Sequence, residues 1–294
     1  MNTILLTGAN GLLGFELLKQ LSAQKKYKVF AISQSHIHDI ETIDTENITV
    51  INASLSENNF IKLLPSNVDI IIHTAQSNNF RLFPDKAKDI FDVNVNATML
   101  LLNYAKHANT KKFIYTSTGG VYTSGKAPFV ETETMDFNPK NGFYPSSKYI
   151  SELLIANYQT YFDCIVFRPF FIYGKRQKKD MLIPRLVENI NQGNEIKLEG
   201  EHGLRINPIH VQDASDAILQ SFDLNGSYTI NLGGDEVLSL KQICEIIAKK
   251  MDKKTNFTHL EKIPNDVYGD IALLKKLIGA PRHRFEQSID ELLN

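Results

Sequence analysis

Short apolar runs recur along the first two-thirds of the chain, with longer helical patterns between them. The runs TILL (3–6), KVFAI (28–32), ITVI (48–51), VDIIIH (68–73), KKFIYTS (111–117) and CIVFRP (164–169) read as strands. Several are apolar throughout, the pattern of parallel strands buried on both faces. The stretches 11–24, 85–107 and 146–162 read as helices. Strand–helix alternation predicts an α/β fold, a doubly wound parallel sheet with right-handed crossovers. After about Gly174 the rhythm changes to a helix near 181–192, a connecting stretch at 206–213, a helix at 238–251 with Ser239 as its N-cap, and a short terminal helix. The expected organisation is a sheet domain over 1–169, joined by a returning segment near 206–235, and a smaller C-terminal α/β lobe over 170–294.

Bulk composition narrows the class. A chain of 294 residues buries a sizeable core, and 43% hydrophobic with 22% charged residues is ordinary for a globular enzyme. Lys plus Arg number 32 and Asp plus Glu 33, a net charge of -1, which gives no pull toward nucleic acid or an anionic membrane. No apolar run reaches the roughly 18 residues of a membrane span. The N-terminus runs straight into a strand with no secretory pattern. Cys164 and Cys244 sit in apolar segments, as reduced core cysteines do. The expectation is a cytoplasmic enzyme with no metal site.

Candidate chemistry begins at LLTGANGLLGFELL, where Gly8, Gly11 and Gly14 follow the first strand and enter the first helix. A tight turn, close backbone approach to a pyrophosphate and close helix–strand packing each favour a missing side chain. The helix N-terminus adds free N–H groups and a positive dipole end. This context makes the sheet domain a Rossmann-type dinucleotide site. An acidic residue that would hold the ribose of NAD is expected after the second strand. The chain has Ser33, Gln34 and Ser35 there, and no Arg replaces it to hold a 2′-phosphate, so NAD and NADP both stay open.

Further on, Tyr144 and Lys148 stand four apart, on one face of a helix. A tyrosine titrates at about 10, and a neighbouring ammonium favours its phenolate. A drop to about 7 corresponds to about 4 kcal/mol.

Taken together, the chain resembles the extended short-chain dehydrogenase/reductase family, the NAD-dependent epimerase/dehydratases of nucleotide sugars. The resemblance rests on TGANGLLG (7–14), DIIIHTAQ (69–76), DVNVNAT (92–98), YTSTGGVY (115–122), YPSSK (144–148), RPFFIYG (168–174), INPIHVQDAS (206–215) and YTINLGG (228–234), in the family's order. It implies Tyr144 as acid/base, Lys148 as its cation and nicotinamide-ribose ligand, and Thr118 as the hydroxyl on the reacting oxygen. It implies a dinucleotide held by Gly8, Asn10, Gly11, Leu12, Leu13, Gly14, Ser33, Gln34, Ser54, Leu55, Thr74, Ala75, Gln76, Asn94, Thr116, Pro169 and Ile172. Ser54 stands where relatives often place an aspartate, and Asn94 matches an asparagine that supports the catalytic helix. His73 is expected as a packed strand-end residue. On the substrate side the resemblance points to Thr118, Gly119, Phe171, Arg205 and Asn207.

Gly119 and Gly120 follow Thr118 where the family's 4,6-dehydratases carry an acidic pair, which argues against water elimination. Redox at a carbinol remains, as a nucleotide-sugar 4-epimerase or as an NADPH-dependent ketoreductase. A non-catalytic dinucleotide sensor is the alternative outside enzymology, and such relatives typically lose the Tyr/Lys pair. Relatives also dimerise through helices corresponding to 85–107 and 146–162, so the resemblance implies a homodimer.

Overall fold

The structure, a computed structural model, describes residues 2–122, 126–133 and 142–293. These group into two compact units. One comprises the described residues within Met1–Thr123, Met135–Arg168 and Ile218–Ile230, the other those within Ser124–Thr134, Pro169–Ala217 and Asn231–Asn294.

In the first unit, β1 (Asn2–Thr7), β2 (Tyr27–Ser33), β3 (Ile48–Asn52), β4 (Ile70–His73), β5 (Lys112–Thr116) and β6 (Asp163–Pro169) pair in parallel. With the strand Tyr228–Leu232 they form a seven-stranded sheet in the order Tyr228–Leu232, β6, β5, β4, β1, β2, β3. Strand order therefore reverses between β1 and β4. The carboxyl ends on either side of such a switch point open a crevice for a ligand. The apolar runs are buried as their patterns demand: Leu5, Ile71, Phe113 and Cys164 sit fully inside, packed with Leu101, Leu102 and Ile155 of the covering helices. Burial pushes the Cys164 thiol up to about 12, as it does that of Cys244, so both stay protonated. Lys112, buried at the start of β5, donates to the carbonyls of Ser221, Phe222 and Leu224 and so caps the helical turn Ser221–Asp223.

The covering helices are α1 (Leu12–Ser22), α2 (Ala87–Phe91), α3 (Ala97–His107) and α4 (Phe143–Ala156). The helix expected over 85–107 is interrupted: Asp92–Asn96 forms a π-turn between α2 and α3. The helix expected at 146–162 begins three residues earlier and ends at Ala156. Pro145 lies inside its first turn, where a missing N–H costs nothing. Beyond Ala156, tight turns from Tyr158 N to Ile155 O (2.9 Å) and Tyr161 N to Tyr158 O (2.9 Å) bring the chain back to β6.

The second unit packs the helices Leu182–Gln192 and Leu240–Lys250 around Ile183, Leu186, Ile190, Ile243 and Ile247. Ser239 caps the second helix as expected. It accepts from Gln242 N while Gln242 Oε1 accepts from Ser239 N, a reciprocal capping box. Glu195–Glu199 pairs in parallel with Asn256–Leu260, an element the sequence reading does not contain. The expected connecting stretch at 206–213 turns into the helix Val211–Gln220. Among the described residues no helix is long and apolar enough to cross a membrane.

Candidate active site

Because β1 to β5 run parallel, the loops after them emerge at one edge of the sheet, and Gly8, Asn10, Gln34, Ser54, Leu55, Thr74, Ala75, Gln76 and Thr118 lie on those loops. Between β1 and α1, Gly8 holds φ 74°, and a Cβ there would stand 2.8 Å from Ala75 N and 2.9 Å from Thr74 Oγ1. A Cβ on Gly14 would stand 2.0 Å from Gly8 O, inside any contact distance. Gly11 is the N-cap of α1, makes no side-chain cap, and no acidic residue stands in the first turn. The first N–H groups of an eleven-residue helix, and its positive end, are thus left for an anion. Leu12 and Leu13 form that first turn, with Leu13 buried.

Around this loop several side chains are already committed. Thr74 Oγ1 donates to Thr7 O (2.8 Å), and Ala75 N donates to Thr7 Oγ1 (3.3 Å), which ties the β4 loop to β1. Asn10 Nδ2 donates to Ser35 Oγ (3.2 Å) and His36 O (3.0 Å), and its Oδ1 accepts from His38 N (3.1 Å). That side chain fastens the glycine loop to the segment after β2. Ser33 Oγ donates to Ser35 O (2.7 Å), while Gln34 is exposed. After β3, Ser54 and Ser56 share a 2.8 Å hydrogen bond and Leu55 packs into the core. No carboxylate stands at the end of β2, where the chain offers the hydroxyls of Ser33 and Ser35, the amide of Gln34 and backbone groups. With a glycine cradle that a Cβ would fill and an open helix N-terminus at the sheet's switch point, these residues fit a dinucleotide's pyrophosphate.

The expected reacting centre falls at the ends of β4 and β5 and on α4. Tyr144 and Lys148, one turn apart on α4, face the ends of those strands. Tyr144 Oη donates to Gln76 Oε1 (2.7 Å), and the nearby Thr118 hydroxyl favours the ionised form of the phenol. Thr118 caps the turn Gly119–Val121, its Oγ1 accepting from Gly120 N (3.1 Å). Lys148 is buried, donates to Thr116 O (2.8 Å) and lies 4.8 Å from the centre of the Tyr115 ring.

Electrostatics depart from expectation. Burial holds the Tyr144 phenol above its ordinary value, offset in part by the Thr118 hydrogen bond. In the protein alone the phenol is therefore a neutral acid. Burial also lowers Lys148 to about 7, with the Glu152 carboxylate opposing the change. The ammonium that was expected to stabilise a phenolate is itself poised to lose its proton, because it stands in the same low-dielectric interior.

Asn94, within the π-turn, is fully buried and spends its amide inside the protein. Oδ1 accepts from Ser77 N (2.9 Å) and Nδ2 donates to Ser147 Oγ (2.9 Å), between Tyr144 and Lys148 on α4. Its place in the structure is that of a brace for the catalytic helix. His73 bridges Thr7 Oγ1 (2.7 Å) and Thr98 Oγ1 (3.0 Å) and is pushed down to about 3 by burial, a neutral packed residue. Pro169 is the last residue of β6.

In the second unit, Ile172 lies in a short strand after Phe171, which takes φ 54°. Arg205 is exposed and forked onto Asp266, Nε and Nη2 both donating to Oδ2 (2.9 and 2.6 Å). Asn207 is buried, with Nδ2 donating to Gly269 O (3.0 Å) and Oδ1 accepting from Gly269 N (3.3 Å). Sequence reading did not single out Glu152, Arg168, Ser117 or Tyr122, which form one buried polar cluster under α4.

A parallel sheet with a glycine loop at its switch point, and a Tyr–Lys pair one helical turn apart beside a threonine, defines an oxidoreductase of the short-chain dehydrogenase type. Residues 4–233 match the model of the NAD dependent epimerase/dehydratase family, and the chain belongs to that family. Among relatives, UDP-glucuronate 4-epimerase of Thermodesulfobacterium geofontis is 25% identical, the match covering 100% of this chain and 96% of that protein. Human dTDP-D-glucose 4,6-dehydratase is also 25% identical, over 86% of this chain and 75% of that one. The fold is shared with UDP-glucuronic acid 4-epimerase from Bacillus cereus, solved with UDP-glucuronic acid and NAD. That comparison has a TM-score of 0.85 at 22% identity and covers 99% and 98% of the two chains.

Proposed function

We propose that this chain is an NAD-dependent 4-epimerase of a nucleotide sugar, acting in the cytoplasm as a homodimer. The observation that carries the reading is the assembly of Thr118, Tyr144 and Lys148 beside the glycine loop, with Gly119 and Gly120 in place of further acids. A relative named as a UDP-glucuronate 4-epimerase, aligned over the full chain, supports the substrate class.

Tyr144 removes the proton of the sugar's C4 hydroxyl and returns one to the C4 oxygen after the ring has presented its other face. Bound oxidised nicotinamide supplies the hydride acceptor and a positive charge. Thr118 donates to the C4 oxygen and keeps it within reach of the phenol. Lys148, held by Thr116 O, is placed to bind a ribose hydroxyl and to lower the phenol's pKa when protonated. Gly8, Gly11 and Gly14 give a pyrophosphate access to the α1 N-terminus, and Arg205 contributes a guanidinium for the substrate's diphosphate. The dimer forms through α2, α3 and α4, where Phe91, Met99 and Leu153 are exposed apolar side chains, with Tyr161 exposed just beyond α4.

The test is to denature freshly purified protein and identify the released nucleotide by chromatography, then follow UDP-sugars by NMR for inversion at C4. Retained NAD and inversion without net redox are expected. An empty protein that consumes NADPH and reduces a ketone stoichiometrically supports the reductase instead.

A further inference from the structure

Beneath the reacting centre lies a cluster that the chemistry above does not use. Glu152 follows Lys148 by one more turn of α4, so Tyr144, Lys148 and Glu152 share one face. Its carboxylate is gripped at both oxygens by Arg168 of β6, Nε to Oε1 (3.1 Å) and Nη2 to Oε2 (2.6 Å). Both side chains are buried, 8% and 6% exposed. Arg168 Nη1 donates to Tyr122 Oη (2.9 Å), and the guanidinium lies 4.9 Å from the centre of the Tyr122 ring. Ser117 Oγ donates to Glu152 Oε1. Ser117 and Tyr122 flank the turn that carries Thr118, one on each side.

We propose that Arg168 and Glu152 are positioning residues of the reaction, clamping the Thr118 turn to the Tyr144–Lys148 helix and setting the charge on Lys148. The proposal rests on the epimerase reading for the word reaction, not for the clamp itself. Geometry supplies the first half. A bidentate pair with a third N–H on Tyr122 ties α4, β6 and one end of the Thr118 turn to one rigid guanidinium, and Ser117 ties the other end to the Glu152 carboxylate. Stability alone is a weak reason for such a pair, since apolar replacements of buried ion pairs are often neutral or stabilising.

Charge supplies the second half. Among the described residues, the titratable groups that act on or adjoin Lys148 are Tyr144 and Glu152, one turn away on either side in α4, Tyr115 of β5 and His73 of β4, whose imidazole is neutral, with Arg168 of β6 reached through Glu152. Glu152 is the one anion of that set, and Arg168 tempers it. Removing the anion therefore drives Lys148 toward neutrality, and removing the cation leaves the anion to hold its proton more tightly.

The experiment follows the Cε signal of Lys148 by NMR in protein labelled with 13C-lysine, the resonance assigned with Lys148→Met. Glu152→Gln is expected to move its titration midpoint down by about one pH unit, and Arg168→Met to move it up by a similar amount. Activity is read separately. Tyr122→Phe removes one hydroxyl and is expected to lower kcat roughly ten- to a hundredfold with KM unchanged. If Arg168→Met does not fold, Glu152→Gln and Tyr122→Phe decide the matter. Folded variants that leave the Lys148 midpoint and the kcat pH profile at wild-type values overturn the proposal. A wild-type protein that binds no dinucleotide and inverts no sugar overturns the epimerase reading, while the NMR titration still tests the clamp.

Discussion

Gly11→Ala and Gly8→Ala separate the binding role of the glycine loop from its folding role. At Gly11 the backbone is extended (φ -77°, ψ 169°), which any residue adopts, and an added Cβ meets only Gly8 O, at 3.2 Å. The folding cost is about 1 kcal/mol, comparable with loss of a modest N-cap. At Gly8 the added Cβ meets backbone at 2.8 and 2.9 Å, and φ 74° is left-handed. Left-handed strain of about 1–2 kcal/mol and overpacking of about 1–3 kcal/mol act together there. The assay is thermal unfolding of nucleotide-free protein with and without added NAD. At an NAD concentration about 100 times Kd, the wild type gains about 2.7 kcal/mol. A methyl group standing where the pyrophosphate approaches, weakening binding about a hundredfold, leaves a gain of about 0.4 kcal/mol. Gly11→Ala is thus expected to melt within about 3 °C of wild type without NAD and to gain almost nothing from it. Gly8→Ala melts lower under both conditions. A Gly11→Ala protein that keeps the full NAD gain refutes the placement of the pyrophosphate at the α1 N-terminus.

Tyr144→Phe keeps the ring and its contact with Phe80 (5.0 Å between centroids). Its kcat is expected to fall by about 10²–10⁴ with the retained dinucleotide unchanged on chromatography. Lys148 is lowered from 10.5 to about 7 in the folded protein, so between those pH values the unfolded chain binds a proton that the folded one lacks. Stability of nucleotide-free protein therefore gains a rising contribution from about pH 7 to about pH 10.5, and urea titrations of Lys148→Met are expected to lack that rise. Asn94→Ala strands Ser77 N in the interior and loosens Ser147, at a cost of about 2 kcal/mol in denaturant unfolding. Leu153→Glu puts a charge on the proposed dimer face, and light scattering is expected to give a mass near the chain's 33.3 kDa.

The strands and the glycine loop were legible because their signals are local. Apolar runs such as VDIIIH are buried on both faces, and the loop's spacing survives as a backbone requirement at Gly8 and Gly14. Tyr144 and Lys148 were legible as a pair through a four-residue interval. The charge state of that pair was not, because burial acts on both groups and no interval in the sequence encodes depth. The π-turn at Asp92–Asn96 was hidden for a related reason: one extra residue per turn leaves composition and average periodicity unchanged. The helix start at Phe143 was displaced in the reading by Pro145, which can mark either a loop or a first turn. The Arg168–Glu152–Tyr122 cluster joins three elements distant in sequence, and only their packing reveals it.

The proposed distinction from dehydratase chemistry rests on the two residues after Thr118. If the backbone demanded glycine there, the absence of acids would say little about chemistry. At Gly120 it makes no such demand. Its φ is not left-handed, and an added Cβ would meet Thr118 Oγ1 at 3.4 Å and Pro145 Cγ at 3.5 Å, ordinary contact distances. A longer side chain could enter the fold at that point. The main chain of Gly120 nonetheless has a task, since its N–H occupies a lone pair of the Thr118 hydroxyl and so directs the hydroxyl proton outward. On the proposed reading Thr118 is then the donor, and Tyr144 is the acid and base that acts on one oxygen. Moving one proton on and off one oxygen is what inversion at a single carbinol requires, and it falls short of elimination, which also needs a proton taken from carbon and another given to a departing hydroxyl.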